Sequence, residues 1–310
     1  MSIPVVDFGD YGLDKCDVCD DRLQDLSQQL GAAFTDIGFV LLKNTGITQD
    51  EVNTAMDVAM KFFLQPDAVK KTFSRETFSV SPNHWVSVET ERLNPLRPGD
   101  LKESFNVSSL HPDIKWPSSD IVPGFKETQV SIFQRCKELS LRVLRVMAHS
   151  VGVDPEVFLD AHQHIGDPKN STTLRSLYYS PVNRDHVKEN QIRCGEHSDY
   201  GSITLLFQSS EGLQVRARSG EFICVPCIPE TVLVNIADMM QRWTSDRFVS
   251  VLHRVILPPA GDSSSRQSLA FFIQPDDDVV ITCCDGSNKY PPINSRDHYM
   301  ERFSVSYGRS

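Results

Sequence analysis

The stretch RCGEHSDYGSITLLFQ covers residues 193–208 and joins a polar H-x-D pair to a run of β-branched and apolar residues. Similar runs recur between residues 174 and 284, with turn residues between them: LRSLYYSP, LQVRA, EFICVPC, TVLVNIA, SVLHRVIL, SLAFFIQP and DVVITCC. Short strands at this even spacing are typical of a closed β architecture, either a barrel or a double-sheet jelly roll. We therefore expect a jelly roll in the second half of the chain.

The first half has a different pattern. Strand-like IPVVDF and FVLLKNTG flank a helical stretch, RLQDLSQQLGAAFTDIG, and the next segment begins a helix with Thr48 as N-cap and Glu51 as its capping-box partner. Residues 74–124 read as irregular, and a long helix follows in ETQVSIFQRCKELSLRVLRVMAHSVGV. We predict an α+β fold with a mainly β core, in which helices flank the jelly roll.

The predicted organisation is a single domain over residues 1–310. Residues 1–172 would be mostly helical support and a loop forming the pocket wall, and residues 173–310 would be the jelly-roll core. Two domains divided near residue 172 are the alternative.

The amino-acid composition of the chain restricts the classes of molecule that we expect it to bind. The chain has 310 residues, of which 40% are hydrophobic and 23% charged, and its formal net charge is -10. Nucleic acid and anionic membranes need a basic surface, so we expect neither as a partner. Since the N-terminus lacks a secretory pattern and no apolar run reaches about 18 residues, we expect a cytoplasmic protein. A small-molecule substrate and a monomer or weak homodimer are the remaining expectations.

Eight cysteines raise the question of disulfides or zinc. Cys16 and Cys19 form one C-x-x-C pair, and Cys224 and Cys227 form another about 200 residues later. A zinc module needs such pairs close together, so reduced thiols acting as small hydrophobic residues are the better interpretation. Cys194 stands three residues before His197, either lining a site there or packing beside it.

Three residues form a candidate metal site. His197 and Asp199 are two apart, so on a strand they project to the same face, and His253 lies among apolar residues in SVLHRVIL. Two imidazoles and one carboxylate form the facial triad of non-haem Fe(II) oxygenases, which leaves positions open for cosubstrate and O2. Zinc binds the same ligands. Many isolated H-x-D pairs are surface turns, and many such histidines are hydrogen-bonded core residues.

A second pair favours the metal site. Arg266 and Ser268 stand 13 and 15 residues after His253 and share one strand face. A guanidinium binds a carboxylate through two hydrogen bonds, and a hydroxyl adds a third. An exposed strand is the alternative, but the position after the triad favours a carboxylate pocket beside the metal.

Taken in order, GEHSDYGSITLLFQSSEGLQV, VLVNIADMMQRWTSDRFVSVLHRV and RQSLAFFIQP resemble the Fe(II)- and 2-oxoglutarate-dependent dioxygenases, in the branch similar to isopenicillin N synthase. IPVVDF, GFVLLKNTGI, KFFLQP and DLKESFNV are similar to that branch's N-terminal landmarks. The resemblance implies a double-stranded β-helix that uses Fe(II), 2-oxoglutarate and O2. The implied reaction is C–H oxidation of a small organic metabolite, by hydroxylation, desaturation or oxidative cyclisation, with release of succinate and CO2.

The resemblance also implies roles for individual residues. His197, Asp199 and His253 match the iron ligands, and Arg266 and Ser268 match the pair that holds the far carboxylate of 2-oxoglutarate. Tyr179 matches a tyrosine at that carboxylate, although the adjacent Tyr178 leaves the alignment open by one residue. Phe272 matches a position that faces substrate. Further substrate candidates, each also explicable as packing or surface, are Phe105, Trp85, Arg92 and Arg175.

Three alternatives remain at this point. Isopenicillin N synthase and the ethylene-forming oxidases share the branch but do not use 2-oxoglutarate, so Arg266 and Ser268 do not by themselves establish the cosubstrate. A non-catalytic jelly-roll binding module is the third alternative, although such a module has no need of three metal ligands.

Overall fold

The computed structural model describes residues 2–16, 18–74 and 83–306. Within those ranges the chain forms the following strands: β1 (Val5–Asp7), β2 (Phe39–Lys43), β3 (Asn83–Val86), β4 (Glu103–Val107), β5 (Thr173–Tyr179), β6 (Cys194–His197), β7 (Ile203–Gln208), β8 (Leu213–Arg216), β9 (Phe222–Cys224), β10 (Thr231–Ile236), β11 (His253–Val255), β12 (Arg266–Ile273), β13 (Val280–Ile281) and β14 (Ile293–Asn294).

Helices precede, interrupt and follow these strands. They are α1 (Asp20–Asp36), α2 (Gln49–Phe63), α3 (Asp67–Lys71), α4 (Phe125–Val151), α5 (Glu156–Leu159), α6 (Asp238–Trp243) and α7 (Ser295–Ser306). Short 3-10 turns occupy Gly9–Tyr11, Asp160–His162 and Arg184–His186. None of the helices in the described ranges is long and apolar enough to span a bilayer.

Two sheets form the core of the molecule. The large sheet has the order β1-β2-β10-β7-β12-β5-β4-β3, and the small sheet has the order β6-β11-β8-β9. Strands β13 and β14 pair separately. Strands from both sides of residue 172 therefore share the large sheet, and the single-domain organisation stays a prediction.

Both faces of the large sheet pack against other elements, and strand alternation divides its side chains between these two faces. On β12, Leu269, Phe271 and Ile273 belong to the cluster that packs under the helices, and Ala270 belongs to a second cluster with residues of the small sheet. Arg266 and Ser268 have the same parity as Ala270. The side chains that carry chemistry thus point between the two sheets, where the small sheet supplies the opposite wall.

The predicted jelly roll with flanking helices is confirmed, and the long helix appears as α4 within two residues of its expected bounds. The expectation that residues 74–124 are irregular is wrong in part, because β3 and β4 extend the large sheet beside β5. Local polarity hid these strands, since Asn83, Ser104 and Asn106 are buried polar residues there. The sequence reasoning also missed α7.

The start of α2 carries a testable feature. Thr48 Oγ1 accepts a hydrogen bond from the Glu51 backbone N–H at 3.2 Å, and the Thr48 N–H donates to Glu51 Oε2 at 2.7 Å. We expect Thr48→Ala to lower the free energy of unfolding by about 1 kcal/mol in urea titrations, because the Glu51 backbone N–H loses its acceptor. Thr54→Ala, inside the same helix, is the control and should not destabilise, since alanine is the better helix former.

Candidate metal centre and adjoining cavities

The two histidines lie on neighbouring strands of the small sheet. His197 ends β6 and His253 begins β11, and the antiparallel register places them directly opposite each other. Their ring centroids are 4.3 Å apart. Asp199 follows two residues after His197, and its Oδ1 lies 3.7 Å from His197 Nε2 and 3.6 Å from His253 Nε2. Three potential ligand atoms thus converge from two chain segments.

Backbone carbonyls orient both imidazoles. Nδ1 of His197 donates to the Gly195 carbonyl at 2.8 Å, and Nδ1 of His253 donates to the Val251 carbonyl at 3.1 Å. Because a carbonyl oxygen only accepts, the proton lies on Nδ1, and each Nε2 keeps its lone pair for a metal. Burial, with the nearby His253 ring, lowers the pKa of His197 to about 3, so this ring is neutral at physiological pH.

The carboxylate of Asp199 is held from one side. Its Oδ2 accepts hydrogen bonds from Thr204 Oγ1 at 2.6 Å and from Asn235 Nδ2 at 2.7 Å, and Oδ1 faces the imidazoles. Burial acts to raise the pKa of Asp199, but the two imidazoles and these two hydrogen bonds outweigh it and lower the pKa. The group is therefore an anion whose free oxygen points at the two Nε2 atoms.

These residues fit a divalent transition metal. The three donor atoms all lie within 4.8 Å of one another, and no other group of three such side chains occurs in the described part of the chain. Two neutral nitrogens and one carboxylate oxygen on a shared side are the donor set of the facial triad. The coordination directions that these three ligands would leave free on a metal face two adjoining cavities.

The inner cavity lies between the two sheets. His197, Asp199 and His253 line it together with Arg266, Ser268 and Tyr179. Its remaining walls are largely apolar, and they include Phe39, Leu177, Leu206, Leu213, Val255 and Ala270. A small molecule held here would contact the candidate metal ligands and the guanidinium at once.

Arg266 is a buried cation with neutral partners. Its side chain is only 1% exposed, Nε donates to the Ser210 and Glu211 carbonyls at 3.1 and 3.2 Å, and Nη2 donates to Gln208 Oε1 at 2.9 Å. No carboxylate in residues 2–16, 18–74 or 83–306 forms an ion pair with Arg266. A buried charge without a counter-ion is costly, so this position favours an anionic ligand.

Tyr179 is the tyrosine that reaches this end of the inner cavity. The Arg266 guanidinium lies 5.0 Å from its ring centroid, whereas Tyr178 stacks on Phe63 beneath the helices. Sequence reasoning missed Arg193, whose buried guanidinium lies 5.9 Å from the Tyr179 ring and adds a second positive charge near Arg266. Only the tertiary packing brings Arg193 to this position.

An outer cavity adjoins the inner one, and the two share part of their lining: Leu93, Arg175, His197, Asp199 and Phe272. Residues that were not predicted complete its wall: Glu91, Ser171, Thr173, Tyr200, Gln274, Tyr299 and Phe303. The last two come from α7, and Arg302 on that helix contacts Asp238 at 2.7 Å and Ser198 at 3.0 Å. The C-terminal helix thus closes over the segment that carries His197 and Asp199.

Three of the five predicted substrate contacts are absent from both cavities. Phe105 packs against Phe62 and Phe125 beneath the helices, and Trp85 donates to Glu103 Oε2 at 2.7 Å in the same region. Arg92 is exposed. Strand parity explains the first two, because a residue one position away projects to the opposite face of the sheet. The polar neighbour Asn106 lies on the other face, where it accepts from Arg175 Nε at 2.7 Å.

Comparisons with known proteins agree with this geometry. Residues 170–275 match the 2OG-Fe(II) oxygenase superfamily, and residues 3–122 match the family described as non-haem dioxygenase in morphine synthesis N-terminal. Proline hydroxylase buaE of Petromyces alliaceus is 30% identical, with 84% of each chain covered. The chain belongs to the 2OG-Fe(II) oxygenase superfamily.

Solved structures of related proteins share the fold. The crystal structure of a full-length Neurospora crassa protein in complex with alpha-KG has a TM-score of 0.84 and 30% identity, covering 98% of this chain and 96% of that one. The same Neurospora protein is known with alpha-KG and thymine. JOX2 in complex with 2OG, Fe and JA has a TM-score of 0.79 and 25% identity, covering 100% and 87%.

Membership confirms the predicted superfamily, fold and enzyme class. The protein is a 2-oxoglutarate-dependent Fe(II) oxygenase that acts on a small molecule, with Fe(II) as cofactor and 2-oxoglutarate and O2 as cosubstrates. Roles of individual residues remain predictions.

The cysteines of this oxygenase are all free. Cys194 is buried and lines the inner cavity. The prediction of reduced thiols agrees with the structure, but Cys16, Cys19 and Cys224 are exposed and therefore do not pack as small hydrophobic residues, whereas Cys227 is half-buried. These pairs lie on loops and on the edge strand β9, where neither sheet covers them.

Proposed function

We propose that His197, Asp199 and His253 hold Fe(II), and that Arg266, Ser268 and Tyr179 hold the far carboxylate of 2-oxoglutarate. The iron supplies open coordination positions and dioxygen chemistry at the mouth of the outer cavity. The reaction is oxidation of a C–H bond of a small organic substrate, by hydroxylation, desaturation or oxidative cyclisation, with release of succinate and CO2.

The observation that carries this proposal is the uncompensated charge of Arg266. This guanidinium lines a mostly apolar cavity whose lining also includes the three candidate ligands. A dianion with one carboxylate at the guanidinium and its other end at the metal satisfies both groups. The apolar walls keep water from the bound molecule, which strengthens the electrostatic contacts at both ends.

The test measures binding first and turnover second. Anaerobic titration of the protein with Fe(II) and 2-oxoglutarate should give one metal and one 2-oxoglutarate per chain, and admission of O2 should release succinate in step with O2 consumption. Binding of Fe(II) with O2 uptake but no succinate would overturn the assignment of 2-oxoglutarate to the inner cavity. It would favour the oxidases that do not use this cosubstrate.

The hydrogen bonds to Asp199 Oδ2 lead to a further prediction. Asn235→Ala removes one donor from the carboxylate, and Thr204→Val removes the other while keeping the side-chain shape. We expect each variant to lose roughly 10- to 100-fold in Fe(II) affinity or turnover, because partners of this kind set a ligand's orientation and basicity. Thr231→Val is the control, since its hydroxyl bonds to the Ile228 carbonyl away from the centre. Unchanged Fe(II) affinity in both variants would count against the ligand role of Asp199.

We propose no binding partner for this protein other than its small-molecule substrate. The net charge of -10 disfavours nucleic acid and anionic membranes. We propose that the protein is cytoplasmic and that it is a monomer or weak homodimer. Light scattering at two protein concentrations would test the oligomeric state.

The relatives do not select a substrate. Thymine is bound in one of them, JA in another, and a third is named as a proline hydroxylase. Since these molecules differ in size, charge and shape, the side chains of the outer cavity are the better guide.

A further inference from the structure

Strand β6 carries a β-bulge directly before the candidate ligand His197. His253 lies opposite His197, and the next paired position lies two residues onward in β11 but three residues back in β6. Two residues of β6, Gly195 and Glu196, therefore oppose the single residue Arg254. A bulge of this kind interrupts the ladder locally and changes the direction of nearby side chains.

The backbone of Gly195 connects the bulge to the imidazole. Its carbonyl accepts from Nδ1 of His197 at 2.8 Å, and its N–H donates to Asp100 Oδ1 at 2.9 Å. Asp100 is only 2% exposed, and Lys102 Nζ lies 2.8 Å from its other oxygen. The residue that orients the imidazole is thus itself held by a buried, ion-paired carboxylate.

The β3–β4 loop, residues 87–102, packs on the backbone of this bulge. A Cβ added at Gly195 would lie 3.0 Å from both the backbone N and the Cβ of Asn94, and 3.3 Å from Asp100 Oδ1. The Leu101 N–H also donates to the Ile192 carbonyl at 3.1 Å, just before β6 begins. Only glycine permits so close an approach, so the loop and the bulge form one packed unit.

The Glu196 carboxylate joins three segments at the bulge. Its Oε1 accepts from Arg254 Nη1 at 2.8 Å, across the strand pair. Arg97 of the β3–β4 loop donates from Nη2 to Oε1 at 2.7 Å and from Nε to Oε2 at 2.6 Å, and such a two-pronged contact fixes direction as well as charge. Glu196 and Arg254 are each adjacent in sequence to a candidate metal ligand. This bridge therefore ties the two strands together at the metal centre.

We propose that Asp100 and Glu196 are positioning residues, which act through the β6 bulge to set the orientation of the His197 imidazole. Arg97 holds Glu196 in place from the β3–β4 loop. None of these three residues lines either cavity, so they act without contact to metal, cosubstrate or substrate. The inference rests on the proposed function, because the orientation of His197 affects the reaction only if this imidazole binds the iron.

The alternative is a bridge that stabilises the fold and does nothing else. Such a bridge would change the free energy of unfolding but not the Fe(II) affinity of the folded protein. A matched bridge elsewhere provides the control. Arg135 of α4 contacts Glu51 Oε1 at 3.0 Å through Nε and the Gly46 carbonyl at 2.5 Å through Nη2, much as Arg97 contacts Glu196 and, at 2.6 Å, the Asn190 carbonyl.

The experiment titrates the full chain with Fe(II) under anaerobic conditions in the presence of 2-oxoglutarate. It follows the visible absorption of the Fe(II)–2-oxo acid chelate, and urea titration of each metal-free protein measures its stability. Arg97→Gln and Glu196→Gln should each weaken Fe(II) binding roughly 10-fold and shift the absorption maximum, because the ligand loses its orientation. Arg135→Gln should bind Fe(II) with wild-type affinity and an unshifted maximum. Wild-type Fe(II) affinity and absorption in both bridge variants would overturn the proposal.

A double variant tests whether Arg97 acts through Glu196. If it does, Arg97→Gln combined with Glu196→Gln should bind Fe(II) no more weakly than Glu196→Gln alone, since residues of one network do not contribute additively. Losses that multiply in the double variant would contradict this order of contacts.

The Asp100 contact is tested by a conservative and a non-conservative change. Asp100→Leu removes the acceptor of the Gly195 N–H and should weaken Fe(II) binding roughly 10-fold. Asp100→Asn keeps an acceptor oxygen and should restore most of that affinity. A folded Asp100→Leu protein with wild-type Fe(II) affinity would overturn the role of Asp100. If this buried substitution prevents folding, the Arg97 and Glu196 variants still decide the proposal.

Failure of this inference is distinguishable from failure of the proposed function. Chelate absorption in the wild type, with unchanged Fe(II) affinity in the folded variants, would overturn the positioning roles alone. Absence of the chelate absorption in the wild type would overturn the proposed function and the positioning roles with it.

Discussion

Asp199→Ala should weaken Fe(II) binding more than about 100-fold and abolish succinate release. Asp199 is the one anion among the three converging side chains, and its Oδ1 lies 3.7 and 3.6 Å from the two imidazole Nε2 atoms. Without it, two neutral imidazoles remain, and they cannot compensate the charge of a divalent ion in a buried site. Metal content after dialysis and succinate release measure the two effects.

The controls for this variant separate metal loss from unfolding. Asp57→Ala removes an exposed carboxylate on α2 and should retain iron and turnover. Asp199→Asn keeps the shape of the side chain and the bulk against Thr204 and Asn235, so its fold should be preserved while metal affinity still falls. Iron retained at wild-type stoichiometry in a folded Asp199→Asn protein would show that the metal lies elsewhere.

Arg266→Gln should raise the dissociation constant of 2-oxoglutarate at least roughly 30-fold, the lower end of the 2–5 kcal/mol that loss of a buried charged partner costs. The guanidinium is 1% exposed and has only neutral partners in the described residues, so we propose that the cosubstrate carboxylate balances its charge. Arg266→Lys should have an intermediate effect, because an ammonium keeps the charge but not the two-pronged geometry.

A ligand without the far carboxylate gives the matched control for Arg266. Pyruvate retains the 2-oxo acid group that would bind the metal but has nothing to place against the guanidinium. We therefore expect the wild type and Arg266→Gln to bind pyruvate with similar affinity. Equal losses for pyruvate and 2-oxoglutarate would indicate general damage to the inner cavity and would contradict the assigned contact.

Much of the inner cavity follows from local sequence. His197 and Asp199, and likewise Arg266 and Ser268, are pairs at the two-residue spacing that places side chains on one face of a strand. The chemistry of these side chains then restricts the possible functions of the two pairs, since few binding sites need imidazole, carboxylate and guanidinium together. β12 ends in five consecutive apolar residues, so the two-residue spacing of Arg266 and Ser268 predicts that they share a face but not which face it is.

The choice between Tyr178 and Tyr179 shows where local reasoning ends. Either tyrosine is apolar enough to lie on the helix-facing side or on the cavity-facing side of β5, and both are buried. Pairing of β5 with β12 places Tyr179 opposite Arg266, whereas Tyr178 stacks on Phe63 of α2, so Tyr179 is the one we propose for the cosubstrate site. The same kind of ambiguity made Phe105 and Trp85 plausible contacts, and the structure places both outside the lining of the two cavities.

The sequence by itself therefore predicted the jelly roll and singled out His197, Asp199, His253 and Arg266 as candidates, because strand alternation and side-chain chemistry are local properties. Only the tertiary structure decided the outer cavity. Glu91 comes from a loop before β4, Arg175 from β5, and Tyr299 and Phe303 from α7 at the other end of the chain. No spacing rule relates such distant segments, since their contact depends on how the helix packs across the mouth of the two sheets.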